Sequence, residues 1–271
     1  MKIAQVKAWK ENLELTRPYT IAYRQIEHVE SVFLYLELEN GLVGVGAGAP
    51  AAFVTGETIA QSVEALDDYA AELLLGQDIR RFQALLREAE LRMPEAPAAS
   101  AVVDIALHDA FAAFLGVPLV DFLGRVHRRL PTSITIGIQS VDETLREARE
   151  FVRAGFRVIK LKTGNSVEED IETVLRLRET IGADIQLRID ANQGYSAADL
   201  RRFAAATRQQ DIEFYEQPLP PEHLDALRAL PESLRLQCAA DEDLHGPADA
   251  LALAAPPRPY GIFNIKLMKC G

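Results

Sequence analysis

VIKLKTGNSVEEDIETVLRLRETIGADIQLRID, residues 158–190, reads as a strand, a helix and a second strand. The first apolar run closes on Lys162, and Ser166 with Glu169 forms a capping box that opens the helix. Gly182 stops that helix, and the second run closes on Asp190. The same unit repeats downstream. Lys162, Asp190, Glu216, Asp241 and Lys266 are separated by 28, 26, 25 and 25 positions and close the segments VIKLK, IQLRID, IEFYE, LQCAAD and IFNIK. That interval is one strand plus one helix, so each charged residue falls at a strand's C-terminal end. In a parallel α/β barrel those ends open on one mouth, where catalytic groups collect.

An earlier unit precedes this stretch, with a strand over residues 133–138, a capping box of Ser140 and Glu143, and a stop at Gly155. Further helices are expected from Ser196, near Pro221 and near Pro247. Six βα units are therefore visible. A closed barrel of this kind needs eight strands, so residues 125–271 read as a partial (β/α) barrel, truncated after its sixth strand. An open six-stranded sheet is the alternative, at the cost of an unpaired apolar edge.

Residues 1–124 break this rhythm and read as an α+β domain. The N-terminus alternates like a strand. Two more strands, over residues 31–38 and 42–47, flank Glu39-Asn40-Gly41, whose Asn-Gly pair signals a hairpin turn. Helical patterns follow from about Thr55-Gly56-Glu57 to Leu75, over residues 81–91 and over residues 98–115. Gly44-Val45-Gly46-Ala47-Gly48 is rich in glycine but opens no helix, which makes it a poor phosphate loop.

The chain has 271 residues, 48% hydrophobic and 25% charged, enough for a large core. A net charge of -11 argues against nucleic-acid and anionic-membrane partners, which demand clustered Lys and Arg. No stretch is expected to approach the roughly 20 apolar residues of a membrane span. Two cysteines offer no disulfide framework, and a cytoplasmic location is expected.

Asp190, Glu216 and Asp241 on consecutive strand ends would repel one another strongly, and a divalent cation resolves that. All-oxygen ligation favours Mg²⁺, or Mn²⁺, over zinc. Lys160 and Lys162 precede the acids in strand order and Lys266 follows them. Period-2 alternation points Lys160 and Lys162 to one face and Leu161 to the other. A carboxylate substrate bound to the metal would have its α-carbon between Lys162 and Lys266. One lysine, neutral through the positive charge around it, removes the α-proton to give a metal-stabilised enediolate, and proton delivery on the other face inverts the carbon. Thr135 on the first barrel strand is a candidate to reach the pocket. Glu242 and Asn192 are candidate supports for the ligands, and Asp243 is an alternative to Asp241 on the same face.

These residues resemble the enolase superfamily, specifically its muconate-lactonizing subgroup. The motifs are Lys160-Leu161-Lys162, Asp190-Ala191-Asn192, Glu216-Gln217-Pro218, Ala240-Asp241-Glu242 and Asn264-Ile265-Lys266, and the likeness spans nearly the whole chain. The resemblance implies metal ligation by Asp190, Glu216 and Asp241, acid/base roles for Lys162 and Lys266, and electrostatic support from Lys160. The ending Asn264 to Gly271 looks most like dipeptide epimerases of the L-Ala-D/L-Glu type, which epimerise the C-terminal residue of a dipeptide. N-acylamino-acid racemase, o-succinylbenzoate synthase and muconate cycloisomerase share the scaffold and are the alternatives, with a noncatalytic metal- or ligand-binding barrel as a different class. The first domain resembles the capping domain of the superfamily. Its segment from Thr16 to Arg24 would be a mobile loop that closes over substrate, with Arg24 contacting the substrate's distal part, and Val54-Thr55-Gly56-Glu57 a second capping loop. The implied partner is a small molecule, a dipeptide or acylated amino acid, and barrels of this superfamily commonly form homo-oligomers.

Overall fold

The computed structural model describes residues 1–21 and 24–270. It divides into two compact units, one of Met1–Leu15, His28–Arg128 and Ile265–Gly271, the other of Thr16–Glu27 and Arg129–Asn264.

The first unit is built on residues 3–15 of β1 (Ile3–Ile21), residues 28–38 of β2 (Arg24–Leu38) and β3 (Val43–Gly48), strands of one sheet in that order. The strand β2 pairs antiparallel with β3, and the Asn-Gly turn between them is present, with Gly41 at φ 81°. Val32, Leu34, Leu36 and Leu38 follow the period of two and are at most 1% exposed. The segment expected as a mobile loop is strand up to Ile21, because the alternation of β1 continues through it.

Helices α1 (Ala52–Thr55), α2 (Ile59–Leu74), α3 (Phe82–Arg92), α4 (Pro97–Leu115) and α5 (Leu119–Phe122) follow. Helix α2 starts at Ile59, later than expected, because Thr58 and Gln61 form a capping box there. Glu57 instead points inward and is fully buried. Its carboxylate accepts from Ala98 N (3.1 Å) and Ala99 N (3.2 Å), which serves the N-terminus of α4 where Ala96 has no side chain to do so. Packing of α4 on β3 explains the glycine run. A Cβ on Gly46 would lie 1.9 Å from Val102 O and one on Gly44 2.4 Å from Ala106 O, so the helix backbone rests directly on the strand.

One expectation is corrected by α4. With 19 residues and a mean hydropathy of 1.5, it is long and apolar enough to cross a membrane by length and composition alone. Here Val102, Val103, Ala106, Leu107 and Ala110 lie in the core of the first unit with no exposure.

The second unit carries a six-stranded parallel sheet in chain order: β4 (Ser133–Ile136), β5 (Val158–Lys162), β6 (Gln186–Asp190), β7 (Ile212–Glu216), β8 (Cys238–Ala240) and β9 (Ile262–Phe263). Between them run α6 (Val141–Arg153), α7 (Val167–Ile181), α8 (Ala197–Ala206), the short α9 (Leu224–Arg228) and α10 (Glu232–Arg235), and α11 (Pro247–Ala254). Ser140, Ser166 and Ser196 each cap their helix; Ser140 forms the expected box with Glu143, whereas Ser166 accepts from Glu169 N without the return bond of a box. Ile159, Leu161, Leu187, Ile189 and Tyr215 pack on Val174, Leu177, Leu200 and Phe203 from the helices. Each such buried side chain contributes roughly 1.5–3 kcal/mol of hydrophobic stabilisation.

The sixth strand is shorter than expected. It stops at Phe263, and Lys266 stands three residues further, just before α12 (Leu267–Cys270), which packs on α4 within the first unit.

Candidate active site

Lys162 lies opposite Asp190, and Asp190 opposite Glu216, so the three form one rung across β5, β6 and β7. Neighbours in register share a face of the sheet, which brings these strand-end charges together. Lys162 Nζ donates to Asp190 Oδ2 at 2.7 Å and to Asn192 Oδ1 at 2.6 Å. Two residues back on the same face, Lys160 Nζ is 2.7 Å from both Asp190 Oδ2 and Glu216 Oε2. Asn264, just beyond β9, donates to Glu216 Oε1 at 2.7 Å.

Asp241 follows β8. Glu216 is opposite Ala239, so Asp241 stands two residues past that rung, and it is 2% exposed. The alternative, Asp243, has its Oδ2 engaged elsewhere, accepting from Tyr260 Oη and from Gln217 Nε2. Asn192 is tied to the group twice: its N–H donates to Asp190 Oδ1 (3.0 Å) and its Nδ2 to Glu242 Oε1 (3.4 Å). The other oxygen, Glu242 Oε2, is buried without a hydrogen-bond partner.

Burial pushes the Glu216 carboxyl above the usual range, and the charges of Asp190 and Asp241 add to this against Lys160. For Asp190 burial pulls the same way, but the two lysine ammoniums outweigh it and hold the carboxyl low. Lys160 is the mirror case: burial favours its neutral form, and the two carboxylates override that and keep it charged. Glu242 is raised by burial and then by Asp241 and Asp190.

Does a divalent cation fit these residues? Among the described residues no three acidic, histidine or cysteine groups close around one point as a formed cage, since the Lys160 ammonium takes one oxygen from each of Asp190 and Glu216. The donor chemistry fits nevertheless. Three buried carboxylates on successive strand ends offer hard oxygen donors.

Of the remaining candidates, Lys266 belongs to the first unit's closing segment and is half-buried. Thr135 is in register with Lys160, so it shares the lysine face, and it borders a groove of about 840 Å³ together with Thr16, Thr20, Gln139 and Glu147. The side chain of Arg24 lies outside the described ones.

Three contributors escaped the sequence reading. Arg188, opposite Lys160, pairs with Glu213 at 2.7 Å and lies 5.2 Å over the Phe214 ring. It sits two residues before Asp190, so the period of two could have found it. Asp170 accepts from Tyr195 Oη (2.7 Å) and Gly164 N (2.9 Å), binding together the turns after β5 and β6. Gln217 is wholly buried between Glu216 and the Asp241 turn, and no periodicity signals it.

A parallel sheet with acids and lysines on its C-terminal ends, preceded by an α+β unit, defines an enolase-type enzyme. Residues 3–124 match the mandelate racemase / muconate lactonizing enzyme N-terminal domain and residues 143–271 the enolase C-terminal domain-like family. The chain is 55% identical to the L-Lys-D/L-Arg epimerase of Desulforapulum autotrophicum, covering all of this chain and 76% of that protein. The dipeptide epimerase of Methylococcus capsulatus, solved with Mg and the dipeptide L-Arg-D-Lys, superposes with a TM-score of 0.96 at 50% identity over 100% of this chain and 77% of that one. That of Enterococcus faecalis, solved with Mg and L-Leu-L-Tyr, gives 0.93 at 34% over 100% and 76%. The chain therefore belongs to the enolase superfamily, in its mandelate racemase and muconate lactonizing enzyme group. Within that group it is of the dipeptide epimerase type, an isomerase.

Proposed function

We propose that this protein epimerises a dipeptide at the α-carbon of its C-terminal residue, and that dipeptides of lysine and arginine are its substrates. The observation that carries the reading is the rung of Lys162, Asp190 and Glu216 with Lys160 seated between the two carboxylates. The cationic substrate class is supported by two relatives, 55% and 50% identical, that are named L-Lys-D/L-Arg epimerases.

Asp190, Glu216 and Asp241 would hold Mg²⁺, the ion in the solved relatives. When bound, Mg²⁺ supplies positive charge beside the substrate carboxylate and makes the α-proton more acidic. Lys160, kept cationic by its two carboxylates, adds to that field without exchanging a proton. Lys162, in its neutral amine form, takes the α-proton on one face and becomes an ammonium, leaving an enediolate, with its Nζ aimed by Asn192 and Asp190. Lys266, assigned from its place after β9 in the sequence, returns a proton on the other face. Asn192 and Glu242 steady the turn behind Lys162. Thr135 and Arg24 are assigned to the substrate.

The test is α-proton exchange. With Mg²⁺ in D₂O, L-Lys-L-Arg should gain deuterium at the α-carbon of its C-terminal residue and yield the L,D epimer. Exchange confined to N-succinyl-arginine, the kind of substrate named for a 28% identical racemase, would overturn the assignment.

A further inference from the structure

Gln217 carries a backbone conformation that favours glycine, with φ 33°, yet it keeps a long side chain that is wholly buried. Every polar atom of that side chain is engaged. Its Oε1 accepts the backbone N–H of Asp241 (3.0 Å) and of Asp243 (3.2 Å). Its Nε2 protons are shared among Leu219 O (2.9 Å), Asp243 Oδ2 (2.9 Å) and Tyr260 Oη (3.1 Å). The main chain of the same residue reaches the other neighbours, with its N–H on Ala239 O (2.8 Å) and its carbonyl accepting from Gln193 N (2.7 Å). One residue thus touches the ends of β6, β7 and β8, the strands that carry Asp190, Glu216 and Asp241.

We infer that Gln217 is a positioning residue that sets the Asp241 carboxylate for the metal. The inference rests on the reading of Asp241 as a ligand. Asp241 lies past the end of β8, where no ladder fixes its backbone. The two hydrogen bonds accepted by Gln217 Oε1 replace that ladder: they clamp the N–H groups on either side of Glu242 and so fix the turn on which Asp241 is mounted. Nε2 and Tyr260 Oη together hold Asp243 Oδ2. Such supporting bonds govern affinity because a ligand free to rotate must be ordered when the ion arrives.

The experiment is calorimetric Mg²⁺ titration of the full chain, with folding of each variant checked by circular dichroism. Gln217→Met should weaken Mg²⁺ binding about 10- to 100-fold. Gln217→Gly suits the positive φ and is the second variant should methionine fail to fold; it should show the same loss. Phe203→Leu, a truncation in the helix-side core, should lower the melting temperature without changing Mg²⁺ affinity. Equal loss in Phe203→Leu would make the effect general destabilisation and overturn the proposal. Asp241→Asn separates the two readings. If it weakens Mg²⁺ and both Gln217 variants bind as the wild type does, Asp241 remains a ligand and the positioning role is wrong. If Asp241→Asn itself binds normally, the ligand reading fails and the proposal falls with it.

Discussion

Lys160 Nζ stands 2.7 Å from Glu216 Oε2 across two strands, with Asp190 Oδ2 equally near on the strand between. One cation therefore bridges two carboxylates that are 3% and 1% exposed at their side chains, with Lys162 pairing with Asp190 as well. Lys160→Met leaves Glu216 buried without its cation while Lys162 still pairs with Asp190, a change that costs about 3 kcal/mol. The effect depends on pH. Asp190 has its carboxyl held below the usual 3.8, so the stability it contributes is present above that value and is lost as pH falls through its folded-state pKa. Urea unfolding of the metal-free protein should show the deficit at pH 7 and a smaller one near pH 3; a deficit constant over that range would refute the pairing.

Lys162→Ala and Lys266→Ala should each lower epimerisation by about 10³-fold, the usual scale for loss of a positioned acid or base. The remaining lysine can still reach one face. Each variant should therefore exchange the α-proton of one epimer only, and the two variants should choose opposite epimers when followed by proton NMR in D₂O. Full inversion in either variant would exclude the two-base scheme.

Tyr195→Phe deletes the hydroxyl that donates to Asp170 at 2.7 Å. Removing that bond should cost about 1 kcal/mol, more if no water reaches the carboxylate. Protection from hydrogen exchange should fall first at the turns after β5 and β6, where Gly164 and Gly194 meet backbone to backbone. Protection lost uniformly over the chain would contradict a local tie.

Glu57 gives a pH signature of opposite sign. Burial raises its carboxyl above 4.5, against the hydrogen bonds from Ser62, Ala98 and Ala99. The folded state then binds the proton more tightly than the unfolded one. Its stabilising contribution is full below about pH 4.5 and is lost as pH rises through the folded-state value. Glu57→Gln removes this slope, so the melting temperature of the variant should gain on the wild type from pH 4.5 to pH 8. A difference that stays constant over that range would count against an ionising buried carboxyl.

The regular parts of the fold were legible because they follow from local rules. Ser140, Ser166 and Ser196 announce their helices, and the period of two placed Lys160 and Lys162 on one face. Register did the rest for Lys162, Asp190 and Glu216, since near-equal spacing in the sequence became equal height on the sheet. What stayed hidden depends on three dimensions. Glu57 sits at the start of a helix pattern, yet its carboxylate serves another helix 41 positions away. Gln217 matters through main-chain groups of residues 24 and 26 positions distant, which no side-chain pattern encodes. The sixth strand ends earlier than its pattern suggests, because residues 263–266 alternate apolar and polar while only Ile262 and Phe263 pair.

The glycine-faced strand β3 has a consequence for anyone scanning genomes. Gly44, Gly46 and Gly48 imitate the spacing of nucleotide-binding fingerprints, but their hydrogens are pressed against helix carbonyls and side chains, leaving no room for a phosphate. In a saturation library the run should behave as a comb, with alternate codons refusing every substitution while Val45, 40% exposed, tolerates many. Such a comb tells a mechanical groove from a chemical one without any ligand being tried.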